Sequence, residues 1–313
     1  MLGRDDRLEE AIALLDARFP QSPLRIAAEA MLATRREDWD RALDLWREHM
    51  RLDPEDAAGW QGYGSASQGR RLALLERGGV EPEIDQVDRA QIDVVEDDDA
   101  RKLMLGFESM GFDCEFGLVQ RRFGAEPLGL LRFNSVQVGG LVEALAHRFD
   151  GMGEPEHTAL GTSKGEYFIR DRRWGLAMHT FLYEGCEDAE RLHAKLCRRV
   201  VFLKDKLLAD LAEGRKIFVF SSSALQLDEL LMLHAALSGF GDIALLHVRP
   251  IGARAAGLEG GKAGEAIEIR PRLFVGFVSR YGNNARGEWN IPFDEWLGVC
   301  RATARMRGSA PPM

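Results

Sequence analysis

The run Ser109-Met110-Gly111-Phe112-Asp113-Cys114-Glu115-Phe116-Gly117 holds the residues of this chain best suited to chemistry. A polar turn with a glycine delivers Cys114 to the first turn of a helix expected from Glu115 to Phe123. A thiol at a helix N-terminus feels the positive end of the helix dipole, which favours thiolate, the nucleophilic form. The Ser-x-Gly turn also offers backbone N–H groups to an oxyanion. The competing reading is a buried cysteine that packs as a small apolar residue.

A cysteine nucleophile needs a base within hydrogen-bond reach, and the base needs a group to orient it. Seven histidines are available. His49, His193 and His234 fall within expected helices, while His147 and His157 flank a loop. His179 differs, because it ends the strand begun by Trp174-Gly175-Leu176-Ala177-Met178. Alternation gives it the same face as Ala177 and Phe181, a partly apolar side. His247, ending an expected strand from Ile243 to Val248, is the second candidate. For either, the competing reading is a core imidazole bonded to a carbonyl. Asp171, Asn134 and Ser221 are all possible orienting groups, and the pattern does not choose among them. Glu115 and Glu126 are a possible carboxylate pair. With Cys114 attacking a carbonyl and His179 carrying the proton, the reaction class is acyl transfer.

The elements that must position these residues come in two styles. Residues 7 to 75 read almost wholly as helix, with Ala11 to Pro23 and Ala42 to Pro54 spaced alike. Trp60-Gln61-Gly62-Tyr63-Gly64 fits the opening of a tetratricopeptide repeat. In such repeats small residues let helices approach, aromatics fill the gap, and proline stops the second helix. About two repeats fit, so this unit is expected to dock on the rest of the chain, as a partner-binding cradle or as a structural cap. Gly78-Gly79, Pro82 and the acidic run Glu96-Asp97-Asp98-Asp99 mark a boundary. Those aspartates read as the N-cap of a helix starting near Ala100 rather than as metal ligands.

From residue 100 onward strands and helices mix. A turn from Gly124 leads into an extended segment ending at Phe133, and Val138 to Phe149 is amphipathic. Glu166 to Ile169 and Leu176 to Phe181 alternate like two antiparallel strands. Asp188 to Leu211 reads as one long helix closed by Gly214. Lys216 to Phe220, a helix from Leu225 to Leu237, and Ile243 to Val248 form a βαβ unit, which implies parallel pairing. Ser221, Ser222 and Ser223 follow the first of these strands, as ligand contacts or as a helix N-cap. A strand from Leu273 to Ser279 and a helix from Phe293 to Arg305 complete the chain. The expected fold class is α/β. A tetratricopeptide-like helical unit over 1–99 packs on a three-layer α/β domain over 100–313 with a partly parallel sheet.

Composition sets the outer limits. At 313 residues, 45% hydrophobic and 29% charged, the chain can bury a substantial core. A net charge of -9 argues against nucleic acid as a partner, since phosphate binding needs a basic surface. No window is apolar enough to span a membrane, and the N-terminus lacks a signal-peptide core. Cys114, Cys186, Cys197 and Cys300 are scattered without a C-x-x-C pair, so neither a zinc site nor a disulfide framework is expected. Reduced thiols suit the cytoplasm. Neither glycine-rich phosphate motif is present, and the glycines from Gly257 to Gly264 read as a mobile loop. No cofactor is expected.

Ser109-Met110-Gly111-Phe112-Asp113-Cys114 resembles the S-[LM]-G-x-x-C opening of a bacterial family of unknown function described as papain-like cysteine peptidases. His179-Thr180-Phe181 resembles its strand-borne histidine, and the long helix followed by Lys216 to Phe220 resembles its closing strand. The resemblance covers residues 105 to 250. It implies Cys114 as nucleophile and His179 as base. No Asp or Asn follows His179 at an obvious strand position, and a βαβ unit departs from a papain-like antiparallel sheet. The expected function is a cysteine-dependent hydrolase or acyl transferase with a partner-binding helical extension. The alternative is a non-catalytic interaction protein, or one that binds a sugar or another small polar ligand near Ser221 and His247. The expected partner is therefore a polypeptide or a small polar ligand.

Overall fold

A computed structural model describes residues 4–20, 22–53, 59, 62, 66, 73, 92–163, 165–186, 188–253, 255, 257–282 and 289–309. The chain divides into two compact units. One comprises residues 1–82, 137–150 and 228–236, and the other comprises 83–136, 151–227 and 237–313.

The first unit opens with α1 (Arg4–Arg18), α2 (Pro23–Arg35) and α3 (Trp39–Leu52). Ser22 caps α2 by accepting from the Leu24 N–H, and Pro23 occupies the first helical position, where no N–H is needed. Ala30 and Ala42 are completely buried, as small residues at a close helix contact must be. Trp46 is buried beside them and donates to the Thr34 hydroxyl at 3.3 Å. No strand occurs among the described residues from 7 to 75. Of the repeat-like opening, Trp60, Gln61, Tyr63 and Gly64 lie outside the described residues. Further helix comes to this unit from α6 (Val138–Ala146) and from residues 228–236.

The second unit holds two sheets. The five-stranded sheet runs β1 (Phe107–Ser109), β6 (Ile217–Ser221), β7 (Ala244–Pro250), β9 (Leu273–Val278), β8 (Ala266–Arg270). Its first four strands are parallel, with Val219 opposite both Ser109 and Leu246, and β8 is antiparallel at the edge. Every residue of β6 and β9 is buried, as a sheet covered on both faces requires. The expected parallel pairing of β6 with β7 is present, and the chain between them passes through α8 (Leu227–Ser238).

The second sheet is an antiparallel set in the order β2 (Asn134–Ser135), β5 (Leu176–Tyr183), β4 (Glu166–Asp171), β3 (Thr158–Ser163). The remaining helices are α4 (Asp98–Leu105), α5 (Glu115–Arg122), α7 (Ala189–Glu213) and α9 (Phe293–Ser309). Asp97 caps α4 through the Asp99 and Ala100 N–H groups, the role expected of that acidic run. Gly214 ends α7 in the left-handed region at φ 62°. The segment expected to be extended up to Phe133 is a loop instead, and extended pairing begins only at Asn134. Its backbone is held by Arg132, whose guanidinium is buried and bonds the Gly117 and Ala125 carbonyls and the Glu126 carboxylate. Among the described residues no helix is long and apolar enough to cross a membrane.

Candidate functional site

Cys114 stands where β1 hands over to α5, at the carboxyl end of a parallel strand. Parallel sheets commonly bind ligands at this end. The turn is built from its own sequence. Gly111 has φ 85° and Phe112 φ 79°, the latter a conformation that bulky residues rarely adopt. The Phe112 ring packs against Phe220 of the neighbouring strand, and this contact helps to hold the turn. A side chain at Gly111 would stand 2.9 Å from Val136 Cγ1 and 3.2 Å from Asn134 Oδ1. Ser109 donates to the Leu131 carbonyl and accepts from the Gly111 N–H. Asp113 Oδ1 accepts from the Glu115 N–H and from the Ser221 hydroxyl, each at 3.0 Å. The helix start thus belongs to Asp113, and Cys114 occupies the cap position without a side-chain cap bond. The thiol is 8% exposed.

His179 lies on β5, with its side chain only 3% exposed. Its Nδ1 is 3.0 Å from Glu166 Oε2 and 3.1 Å from Oε1. A carboxylate only accepts, so Nδ1 carries a proton, and in the neutral ring Nε2 is then the acceptor. That Nε2 is buried and has no hydrogen-bond partner. Glu166 also accepts from the Phe181 N–H at 3.0 Å. This bond is possible because β5 bulges. Phe168 pairs with His179, but Tyr167 pairs with Leu182, and Phe181 sits at φ 58° inside the bulge. Bulges re-aim side chains, and here the extra residues turn a backbone N–H onto the carboxylate that holds the imidazole. Thr180 braces the bulge by donating to the Tyr167 carbonyl and accepting from the Leu182 N–H.

An aromatic layer connects the two candidates. The His179 ring stacks on Phe181, and Phe181 meets Phe133 edge-on at 5.1 Å. Phe133 and Phe181 both pack against the core cluster that contains Cys114. Phe133 lies so close to α5 that a Cβ on Gly117 would be 2.5 Å from its ring. The cluster that holds Cys114 thus extends to Phe181, which stacks on His179, but no hydrogen bond joins the thiol to the imidazole.

The other expected candidates take structural roles. Asp171 accepts from the Trp174 N–H and shapes the β4–β5 turn. Ser221 serves Asp113, and Ser222 accepts from the Ala224 N–H within the loop, because α8 starts only at Leu227 and the serine run does not cap a helix near Ala224. Asn134 is buried beside Gly111 with its amide oxygen and nitrogen both unpartnered. His247 is a core imidazole, bonded through Nδ1 to the Phe220 carbonyl. Burial first, then the charge of Arg249, push its pKa down to about 4 against that bond. The proposed Glu115 and Glu126 pair does not exist. Glu115 accepts from Trp296 Nε1 and the Gly282 N–H, each at 2.7 Å, whereas Glu126 pairs with Arg121 and Arg132. Burial, followed by the nearby Asp113 charge, raises the Glu115 carboxyl to about 8.

Sequence reasoning missed Glu166, the actual partner of His179. Among the described residues one group of metal-ligand types comes together, Glu154, Glu156 and His157, with ligand atoms within 4.8 Å of one another. Both carboxylates are exposed, and surface acids often cluster without an ion. No protein-family model, curated protein or solved structure matches the chain.

Proposed function

We propose that this protein is a cysteine-dependent hydrolase or acyl transferase, with Cys114 as nucleophile, His179 as base and Glu166 as the group that orients it. One observation carries the reading: a buried histidine tied through Nδ1 to a carboxylate, with an unpartnered acceptor on its other nitrogen. This is the base half of a nucleophile–base–orienter set.

In this reading Nε2 takes the thiol proton, and Glu166 stabilises the resulting imidazolium. Sulfur attacks the substrate carbonyl, and the C=O electrons move onto oxygen. The unpartnered amide of Asn134 donates to that oxyanion. Collapse expels the leaving amine or alcohol, which takes the proton from Nε2. Water or an acceptor then repeats the sequence on the thioester. Catalytic hydrogen bonds are often long before substrate binds, and here substrate draws the thiol onto Nε2. The N-terminal helices act in the same reading as a tetratricopeptide-like repeat that recruits a polypeptide, beside a three-layer α/β catalytic part. The resemblance to papain-like cysteine peptidases agrees with the roles of Cys114 and His179.

Intact-mass and peptide mass spectrometry after exposure to an activated ester, p-nitrophenyl acetate, tests the proposal. It expects acetyl on Cys114 that turns over, and slow or absent acetylation in His179→Ala. Equal acetylation of both proteins would remove His179 from the chemistry. A second reading, a non-catalytic polar-ligand protein, is favoured by the missing bond between Cys114 and His179 in the unbound chain.

A further inference from the structure

A cavity of about 60 Å³ opens beside the His179–Glu166 pair. Its walls come from the second sheet, from the loop before β2 and from α7. Helical spacing puts Leu196, Arg199, Val200 and Leu203 on one side of α7, and all four line the space. Met178 and Leu130 add apolar wall. Polar groups are few. The Thr180 hydroxyl is already used by the bulge. Two polar side chains with unspent capacity remain. His179 lines the space, and its Nε2 is buried and unpartnered. Arg199 is exposed and has neither ion pair nor hydrogen bond among the described residues.

Apolar pockets with a few convergent polar groups are the usual form of a small-molecule site. The three kinds of lining each select a chemical feature. The apolar wall from α7, Met178 and Leu130 takes an aliphatic tail. A space of about 150 Å³ accommodates benzene, so this one suits a branch of roughly two or three carbons. A nitrogen acceptor out of water needs an O–H or N–H donor, because leaving it unpaired is costly. A free guanidinium takes a carboxylate in its fork. We propose that the cavity binds a short aliphatic carboxylate with a hydroxyl on the neighbouring carbon, its tail against α7, its hydroxyl donating to His179 Nε2 and its carboxylate on Arg199. This assignment rests on the His179–Glu166 pair of the proposed function and needs no reactivity of Cys114.

The test uses the full chain and reads binding without turnover. α-Hydroxyisovalerate, isovalerate and isobutanol are titrated in turn while the imidazole nitrogen resonances of His179 are followed by NMR. The hydroxy acid should saturate and shift Nε2. Removing its hydroxyl or its carboxylate should each weaken binding about tenfold, the effect of one good polar contact. Arg199→Ala should equalise the hydroxy acid with the alcohol, and Leu203→Trp should abolish binding by filling the space. The proposal is overturned if the His179 resonances do not respond to the hydroxy acid. It is equally overturned if the alcohol binds as tightly as the acid in the unmodified protein. Cys114→Ser separates the two claims. Loss of acetylation with hydroxy-acid binding intact supports both, and acetylation without binding overturns this inference alone.

Discussion

Glu115 should make the stability of this protein fall as pH rises, and the size of the effect follows from where the carboxyl sits. It is 1% exposed, with Trp296 and Gly282 on its two oxygens and Asp113 nearby. Burial is the main cause that raises it from 4.5 to about 8 in the folded chain. Between those values the folded state keeps a proton that the unfolded state has lost. The folded state therefore binds more protons, and stability declines as pH climbs from 4.5 towards 8. Below that window both states are protonated, and above it both are ionised. At about 1.4 kcal/mol per pH unit, the full decline is on the order of 5 kcal/mol. Glu115→Gln removes the titration but keeps the shape. Its amide nitrogen must face a Trp296 or Gly282 donor, so at pH 5 the variant should be less stable by about 1–3 kcal/mol. At pH 9 the order should reverse. Urea unfolding of both proteins from pH 5 to pH 9 measures the difference, and the other titrating groups cancel in it. A constant difference between the two curves would refute the reasoning.

Two further outcomes follow from packing. Gly117→Ala would put a Cβ 2.5 Å from the Phe133 ring and 2.8 Å from the Arg132 carbonyl. Thermal unfolding should therefore show a loss of about 1–3 kcal/mol, the usual cost of overpacking, and no loss would mean that the loop before β2 is looser than described. Lys216 bonds Glu108 at 2.6 Å, and Glu108 is buried, its pKa raised chiefly by that burial. Lys216→Met should cost about 1–3 kcal/mol in urea unfolding, because among the described residues the buried carboxylate then keeps only Lys206, 3.5 Å away. Glu108→Gln in the same background should recover part of this loss, and no recovery would contradict the ion-pair account.

How much was legible depended on length and on burial at two faces. The runs Ile217-Phe218-Val219-Phe220 and Leu273-Phe274-Val275 announce themselves as strands because both faces are buried, and a long apolar run has few other uses. β1 has three residues, too few to show a period, although it carries the turn to Cys114. β8 is an edge strand with exposed and half-buried residues, so its sequence reads as loop. The pair of β4 and β5 was visible, and with it the partner of His179. Alternation from Asp171 opposite Leu176 gives Phe168 and Glu166 the same side as His179. The orienting carboxylate precedes the histidine by thirteen positions, across the β4–β5 turn. The bulge at Phe181 was not legible, because a positive φ at phenylalanine has no local signal and is imposed by the hydrogen bonds around it.

The central claim is that His179, held by Glu166, governs the reactivity of Cys114. Iodoacetamide alkylation followed across pH by peptide mass spectrometry tests it directly, with exposed Cys186 in the same molecule as the internal reference. Cys114 should alkylate with a midpoint well below the ~8.5 of a free thiol. His179→Ala should return that midpoint to the Cys186 value, and Glu166→Gln should move it part of the way. A Cys114 profile that lies at or above that of Cys186, and is unchanged in both variants, would contradict the account.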